Sequence, residues 1–562
     1  MRILLVYPYF LEERIQDEDI RPVPIGLYGV AESLKQSGYD VEVLNWHDIH
    51  KTPLKIEEAL SQKRPDVLGF SILHGNRWGG IDIARTAKRL LPETKVVFGG
   101  PGATFLWKHL LTHFPEIDYV GIGEGETTLP ELIRHIEKAG DKPPEGVRGI
   151  AFRRGRKIVR TPKPPPVQDL DRLPIPARHF VYQHVSSSRG CAWKCRFCGS
   201  PRLWEGEIRF RSPEHFVEEL ELLCRKGVRF FYVSDDTFTV DKDRVIRICG
   251  RILERDLKVS WCAISRVDCV DEEILYWMRK AGCTQISYGV ESGSGKIRAA
   301  LNKRISTERI RRAFDLTVRH GILARAYFMY GCPGETWETV EETVTLMMEI
   351  RPLAAVFYIL DLYPGTGFYE DLKRRGIVSD EIWLNRIEGL MHLETDSRLS
   401  GETVIAFGKR LRTAFYENLH LFADAIPLVE KQELFPLHAD FCSRLAMTFS
   451  HGDYAKNDLV KDKERVAEKL YRRALEYHPD ERAFLGLGML EQRRGNLSAS
   501  MVVLREGISH FPEGEQLHIC LGVSLMNAGN YQEALSIFRR FPGSGQAVQY
   551  AGNCETALRR QA

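Results

Sequence analysis

Cys191, Cys195 and Cys198 fall in Ser186-Ser187-Ser188-Arg189-Gly190-Cys191-Ala192-Trp193-Lys194-Cys195-Arg196-Phe197-Cys198, a Cys-x3-Cys-x2-Cys spacing. Three thiolates so close together can wrap one face of an iron–sulfur cube and leave its fourth iron without a protein ligand. Arg189, Lys194 and Arg196 would favour thiolate and offset the negative charge of the cluster. A zinc site wants four ligands in two pairs, and no second Cys-x2-Cys or Cys/His pair lies nearby. A disulfide would leave an odd cysteine, and buried structural cysteines belong on an apolar pattern, not among arginines and lysine. The other nine of the twelve cysteines are scattered singly and read mostly as core residues.

A loop of this kind needs a sheet to carry it. From residue 181 onward, strands are expected at 183–188, 229–234, 259–265, 284–290, 324–330 and 355–362, with helical runs such as Phe216–Leu223 and Val340–Ile350 between them. Six βα units are two short of a full eight-fold barrel. They predict an open, partial barrel with its chemistry on the loops after the strands. The first 140 residues also alternate strand and helix: Ile3–Tyr7, Val41–Leu44, Val67–Ile72, Val96–Phe98 and Tyr119–Gly121 are short apolar runs. They predict a doubly wound parallel sheet whose ligand site lies beyond the strand ends. Those ends carry Gly99-Gly100-Pro101-Gly102 and Gly121-Ile122-Gly123-Glu124-Gly125-Glu126. Glycine there lets backbone approach a planar or phosphate-bearing cofactor, or it simply makes a tight turn.

The α/β reading therefore divides the chain at 1–140, a Pro-rich connector with a small hairpin at 141–180, a barrel at 181–392, a helical connector at 393–460 and an α-helical repeat region at 461–562. In the last segment Gly488 and Gly522, and likewise Gly495-Asn496 and Gly529-Asn530, recur at 34 residues. That period, with helix pairs, resembles tetratricopeptide repeats, a surface for a protein partner.

Totals exclude little: 43% apolar and 28% charged residues with a net charge of +3 describe an ordinary globular protein and call for no nucleic-acid partner. No apolar run approaches the ~20 residues of a membrane helix, and the amino-terminal run is too short for a signal peptide. A cytoplasmic protein is expected.

With an aromatic residue before its last cysteine, the Cys-x3-Cys-x2-Cys loop resembles that of the radical S-adenosylmethionine (SAM) enzymes. The resemblance implies a [4Fe–4S] cluster on Cys191, Cys195 and Cys198, whose open iron is chelated by the amino and carboxylate groups of SAM. It also implies cleavage of SAM to a 5′-deoxyadenosyl radical, with a reductant such as flavodoxin or ferredoxin. Asp235 and Asp236 match the stretch that holds the methionyl amine, or cap the following helix. Arg266 matches the residue that meets the SAM carboxylate, or is a surface arginine. Glu291 and Ser292, in Gly289-Val290-Glu291-Ser292-Gly293, match the ribose-binding stretch. Gly331-Cys332-Pro333-Gly334-Glu335 matches the loop near adenine, with Cys332 either facing the site or filling the core. No protein general base is expected, since hydrogen abstraction replaces proton transfer, so no catalytic residue is assigned.

The first 140 residues resemble the cobalamin-binding domain of B12-dependent radical SAM enzymes, through Pro22–Leu27, Gly99-Gly100-Pro101 and Gly123–Glu126. This class includes a ring-forming enzyme of bacteriochlorophyll synthesis and hopanoid, natural-product and phosphorus methylases. Gly99, Gly100, Gly123 and Glu124 are the cofactor-binding candidates the resemblance implies. The Asp-x-His-x-x-Gly motif that supplies an axial histidine elsewhere is absent; Asp48-Ile49-His50 lacks its glycine, and Gly102 stands where relatives often carry histidine. Methylation of an unactivated carbon on a small-molecule or lipid-like substrate is the first expectation. Radical cyclisation, coupling or rearrangement is the second, and a non-catalytic interaction protein the third.

Overall fold

The computed structural model describes residues 1–11, 22–47, 49, 53–140, 142–396 and 398–561. Asp48 and His50 lie outside the described residues.

The amino-terminal sheet is seven-stranded, in the order β2-β1-β3-β4-β5-β6-β7. Its strands are β1 (Arg2–Pro8), β2 (Asp40–Trp46), β3 (Val67–Ser71), β4 (Lys95–Gly99), β5 (Tyr119–Gly121), β6 (Ile150–Arg154) and β7 (Lys157–Arg160). β1 to β5 run parallel; the last two add antiparallel. Successive side chains of β1 alternate between two cores. Ile3, Leu5 and Tyr7 pack with Leu27, Ala31 and Leu34 of α1 (Ile25–Gln36) and Leu132, Ile133 and Ile136 of α5 (Gly125–Ala139). Leu4 and Val6 join the side chains of α2 (Pro53–Lys63), α3 (Arg77–Leu90) and α4 (Pro101–His113). Each such buried aliphatic side chain contributes roughly 1.5–3 kcal/mol.

The hairpin expected inside the connector is present, but it belongs to this sheet. β5 has only three residues and would leave an unpaired edge; Tyr119 to Gly121 pair with Phe152 to Ile150 instead.

The second sheet is six-stranded and parallel, in the order β15-β14-β13-β12-β11-β8. β8 (His184–Val185) is followed by a two-stranded antiparallel pair, β9 (Ser188–Arg189) and β10 (Arg209–Phe210). Then come β11 (Phe230–Val233), β12 (Ser260–Ser265), β13 (Cys283–Glu291), β14 (Leu323–Tyr330) and β15 (Ala354–Ile359). Side-chain caps start the intervening helices: Ser212, Asp241, Asp271 and Ser306 each accept from the backbone N–H three residues on. The expected strand at 183–188 is cut to two residues because Ser187 and Ser188 turn away to a buried carboxylate. The helix at Gly401–Asp424 lies against the open side at β14 and β15, Phe415 meeting Phe357 at 6.1 Å.

Six further helices between Lys463 and Gln561 pack in succession. Gly488 and Gly522 occupy matching places: a Cβ on either would collide with Leu504 or Phe538 of the next helix. Gly495 (φ +78°) and Gly529 (φ +83°) turn between helices where other residues would be strained.

The two sheets share a core. Leu360, Leu362, Phe368 and Trp383, beyond the last barrel strand, pack in one cluster with Phe70, Phe98 and Leu106.

Candidate active site

Four separate parts of the chain hold the cysteine loop. Asp235, at the end of β11 and 1% exposed, accepts from Ser187 N (2.7 Å), Ser187 Oγ (2.6 Å) and Ser188 Oγ (2.6 Å). Arg244 donates to the Ser187 carbonyl at 2.6 Å, and Arg211 to that of Ser186 at 3.0 Å. Arg196 N bonds Leu301 O, Asn302 Nδ2 bonds Lys194 O, and Phe368 N bonds Arg196 O. Gly190 (φ +105°) passes so close to Glu207 that any side chain would collide with it. The loop is thus fixed before any ligand binds.

Its three thiols lie near enough to act on one another electrostatically, and backbone N–H groups of Trp193 and Ser200 point at the sulfurs of Cys191 and Cys198. Burial raises all three thiol pKa values, that of Cys198 to about 12. Soft donors on one preformed loop, with N–H groups aimed at sulfur, fit an iron–sulfur cluster. The positive charge beside them does not come from the loop as expected. Arg189 turns to Glu124 and Glu126, and Arg196 lies over the Phe368 ring at 4.3 Å. The cations acting on Cys195 are Lys303 and Arg266. Lys303 carries no signal in the local sequence, and Arg266, singled out for the SAM carboxylate, is brought beside Cys195 only by folding.

Asp235 and Asp236 separate in role. Asp235 is wholly engaged with the loop. Asp236 is accessible from a cavity and accepts from Ser200 Oγ at 2.6 Å and from Gly190 N. Burial, with Asp235 adding to it, raises its pKa. Neither caps the next helix, which Asp241 caps. Arg266 is not on the surface: it is 4% exposed, forked onto Asp268 (3.0 and 3.1 Å) and stacked on Trp193 at 4.2 Å. Glu291 has φ +65°, a conformation that costs an ordinary side chain about 1 kcal/mol or more, and it pairs with buried Lys303 at 2.8 Å. A Cβ on Gly289 would strike that pair. Ser292 points elsewhere: it is fully buried, with its Oγ bonded to Thr343 Oγ1 (3.1 Å) and Ser294 N (3.1 Å), so the structure does not bring it together with Glu291. Cys332 is buried as well. Beside it, Glu335 accepts from Gly331 N and Cys332 N, and burial lifts its pKa to about 7.

Facing the barrel are the strand ends of the first sheet. Gly99, Gly100, Gly123 and Glu124 line a cavity of about 570 Å³ whose other wall includes Ser186, Ser188, Ser234 and Asp236. Nothing lies nearer than 3.8 Å to a Cβ built on Gly99 or Gly121, so a side chain there would protrude into the cavity. Gly100 (φ +91°) precedes α4, and Glu124 precedes α5. The bare backbone forms a cradle that side chains would fill, which fits a large flat cofactor. Glu124 itself is occupied. It accepts from Arg189 (2.5 Å), Arg209 (2.9 Å) and Val167 N (2.9 Å), and beside it Glu126 holds Arg189. Burial alone would raise the Glu124 pKa, but Arg189 and Arg209 outweigh it and hold the value down. This carboxylate pair fastens the first domain to β9 and β10, the strands that flank the cysteine loop. Of the aromatic residues near the barrel mouth and its sheet, Trp204 lines the cavity, Phe357 is stacked on Phe328, and Tyr358 lines a different pocket.

Residues 185–347 match the Radical SAM superfamily and residues 21–133 the B12 binding domain. An uncharacterised methyltransferase of Pyrococcus horikoshii is 30% identical over 382 residues, 66% of this chain and 83% of the relative. The chain belongs to the B12-binding radical SAM enzymes. The cofactors of such an enzyme are a [4Fe–4S] cluster, SAM and cobalamin. The anaerobic magnesium-protoporphyrin IX monomethyl ester cyclase of Rubrivivax gelatinosus is 28% identical over 398 residues, covering 68% of this radical SAM chain and 71% of the cyclase. Among solved structures, the radical SAM methyltransferase TsrM of Kitasatospora setae shares the fold, with a TM-score of 0.60 at 18% identity over 84% of this chain and 100% of that one. No described helix is long and apolar enough to cross a membrane.

Proposed function

We propose that this enzyme methylates an unactivated carbon of an apolar small molecule held between its two sheets. The observation that carries the reading is the single cavity bounded by Gly99, Gly100 and Gly123 on one side and by Ser188, Ser234 and Asp236 on the other. Both halves of a methylation, hydrogen removal and methyl delivery, have to meet at one substrate carbon. When bound, the cluster with SAM supplies a carbon radical strong enough to take hydrogen from such a carbon, and cobalamin supplies the methyl group.

The protein's part is binding, orientation and exclusion of water. Cys191, Cys195 and Cys198 grip the cluster, and Asp235 holds their loop in place through Ser187 and Ser188. Asp236 accepts from the amine of SAM, and Arg266, kept rigid by Asp268 and Trp193, meets its carboxylate. Glu291 takes the ribose hydroxyls with Lys303 fixing its direction. Gly99, Gly100 and Gly123 let the corrin ring approach the strand ends, while Glu124 sets the spacing of the walls. Trp204 gives the substrate an apolar surface. The helices at 461–562 read as tetratricopeptide-like repeats that dock a protein partner, a reading supported by the matched roles of Gly488 and Gly522.

Methylation consumes SAM in two ways, ring formation in one. Anaerobic protein with reductant, SAM and cobalamin is therefore expected to form both 5′-deoxyadenosine and S-adenosylhomocysteine, and to move a labelled methyl group from SAM onto cobalamin. 5′-Deoxyadenosine without S-adenosylhomocysteine would replace methylation by cyclisation or coupling, and neither product would leave only an interaction protein.

A further inference from the structure

α4 begins at the glycine wall and ends at His113, far from the cysteines in sequence. His109 and His113 are four residues apart on this helix and so share a face. Against that face lies Glu381, in the short helical turn Asp380–Leu384 that follows the barrel. One ligand atom from each of His109, His113 and Glu381 lies within 4.8 Å of the others, and among the described residues no other His, Cys, Asp or Glu group is so arranged. His113 Nε2 and Glu381 Oε1 are 3.3 Å apart. Ligand bonds of 2.0–2.2 Å at tetrahedral angles put neighbouring donors about 3.3 Å apart, so this pair needs little movement to share a cation.

A second observation concerns His109 alone. It is 6% exposed, yet neither ring nitrogen has a hydrogen-bond partner. Leaving a buried polar atom unpaired costs about 1–3 kcal/mol, and a histidine cannot avoid it here by facing water. His113 is 4.8 Å away between ring centroids and Phe114 is 6.1 Å away, so the ring is held against its neighbours. The nearby charges divide. Asp380 is engaged by Tyr369 (2.9 Å) and Lys373 (2.6 Å) but adds negative field, as Glu381 does. Arg77 opposes them more weakly; its guanidinium lies over Trp383 and bonds the carbonyls of Ile387 and Glu388.

We propose that His109, His113 and Glu381 bind a divalent transition-metal cation, zinc being the best match to two imidazoles and a carboxylate. The half-open position beside exposed Glu381 is left to water. The site is separate from the iron–sulfur loop and uses nitrogen and oxygen instead of sulfur. Its position gives it a structural role. It ties the end of α4, whose other end lines the cofactor cavity, to the segment leaving the barrel, and so adds a second fastening of the first domain beside the Glu124 clamp.

The test is equilibrium binding of zinc to the intact, chelator-dialysed protein, with elemental analysis of zinc and iron, and cobalt(II) as a visible probe. One zinc per chain is expected beyond the cluster iron. Cobalt should give ligand-field bands without thiolate charge transfer. Glu381→Gln and His113→Ala should each weaken zinc binding at least about tenfold, while iron content and 5′-deoxyadenosine formation stay unchanged. Zinc should also raise the melting temperature of the unmodified protein but not of Glu381→Gln. Glu381 is 64% exposed in its side chain, so this variant folds even if a histidine variant does not. Substoichiometric zinc, equal affinity in Glu381→Gln, or a thiolate–cobalt band would each overturn the proposal.

Discussion

On the barrel side the central cavity is lined by side chains of definite chemistry, Ser188, Ser234 and the Asp236 carboxylate. The thiols of Cys191 and Cys198 lie within electrostatic reach of Asp236, and the Arg266 guanidinium, locked on Asp268 and Trp193, within reach of Cys191. On the opposite side the strand ends offer main chain, Gly99, Gly100, Gly121 and Gly123, with space where a side chain would stand at Gly99 and Gly121. In the proposed enzyme the first wall selects by charge and donor type, and Asp235, Arg211 and Arg244 brace the Ser186–Ser188 stretch beside it. The second selects by shape and works by what is missing. One wall is therefore disabled by removing an atom, the other by adding one.

The largest effect sharpens that contrast. Cys195→Ala is expected to abolish cluster iron and 5′-deoxyadenosine formation together, measured on reconstituted protein, while cobalamin binding persists. Gly99→Leu or Gly121→Leu should do the reverse, weakening cobalamin binding by tenfold or more in a spectral titration and leaving cluster iron intact; loss of iron as well would break the division between the walls.

Next come the adjacent aspartates. Asp235→Ala strands three buried donors and should cost about 2–5 kcal/mol of stability in denaturant unfolding. Asp236→Asn should not destabilise the fold at neutral pH. Its folded pKa lies above the ordinary 3.8, so the ionised carboxylate opposes folding once the pH exceeds that value, and the amide removes the penalty. The same variant should weaken SAM binding several-fold.

Glu124→Ala should cost about 3 kcal/mol by leaving Arg209 buried without its partner. Because the folded pKa of Glu124 lies below 4.5, the ionised clamp stabilises fully above that pH and fades as the pH falls through the folded value. The smallest effect is in the pH profile: below about pH 4.5, where the parent loses the clamp as Glu124 takes up its proton, Glu124→Gln should flatten the stability curve. An unchanged slope would show that the clamp contributes nothing.

How much could be read from the chain differed along it. The six barrel strands and five parallel strands were visible because buried strands are short apolar runs between turn residues. The hairpin at Ile150–Arg160 was visible too, but not its place on the edge of the first sheet, since pairing with Tyr119–Gly121 is a long-range choice. The cysteine loop was legible because three cysteines at cluster spacing sit in eight residues. Asp235 and Asp236 looked interchangeable, and only the position of Ser187 and Ser188 told them apart. Ser292 shares a motif with Glu291 but faces Thr343 on the far side of its turn. Lys303 and Asp268 carried no local signal at all, and nothing along the chain pairs Arg189 with Glu126; these are ordinary charged residues until folding buries them.

The sequence by itself determined the chemistry available: sulfur donors at cluster spacing, two βα sheets, and glycine at the strand ends of the first sheet. Tertiary structure alone decided which charges face those sulfurs, which of two neighbouring carboxylates stays open, and how the first domain is fastened across the cavity. The reason is that ligand spacing and strand pattern are set by bonds along the chain. Burial, pairing and orientation depend on residues tens to hundreds of positions apart, and these meet only when the apolar faces pack.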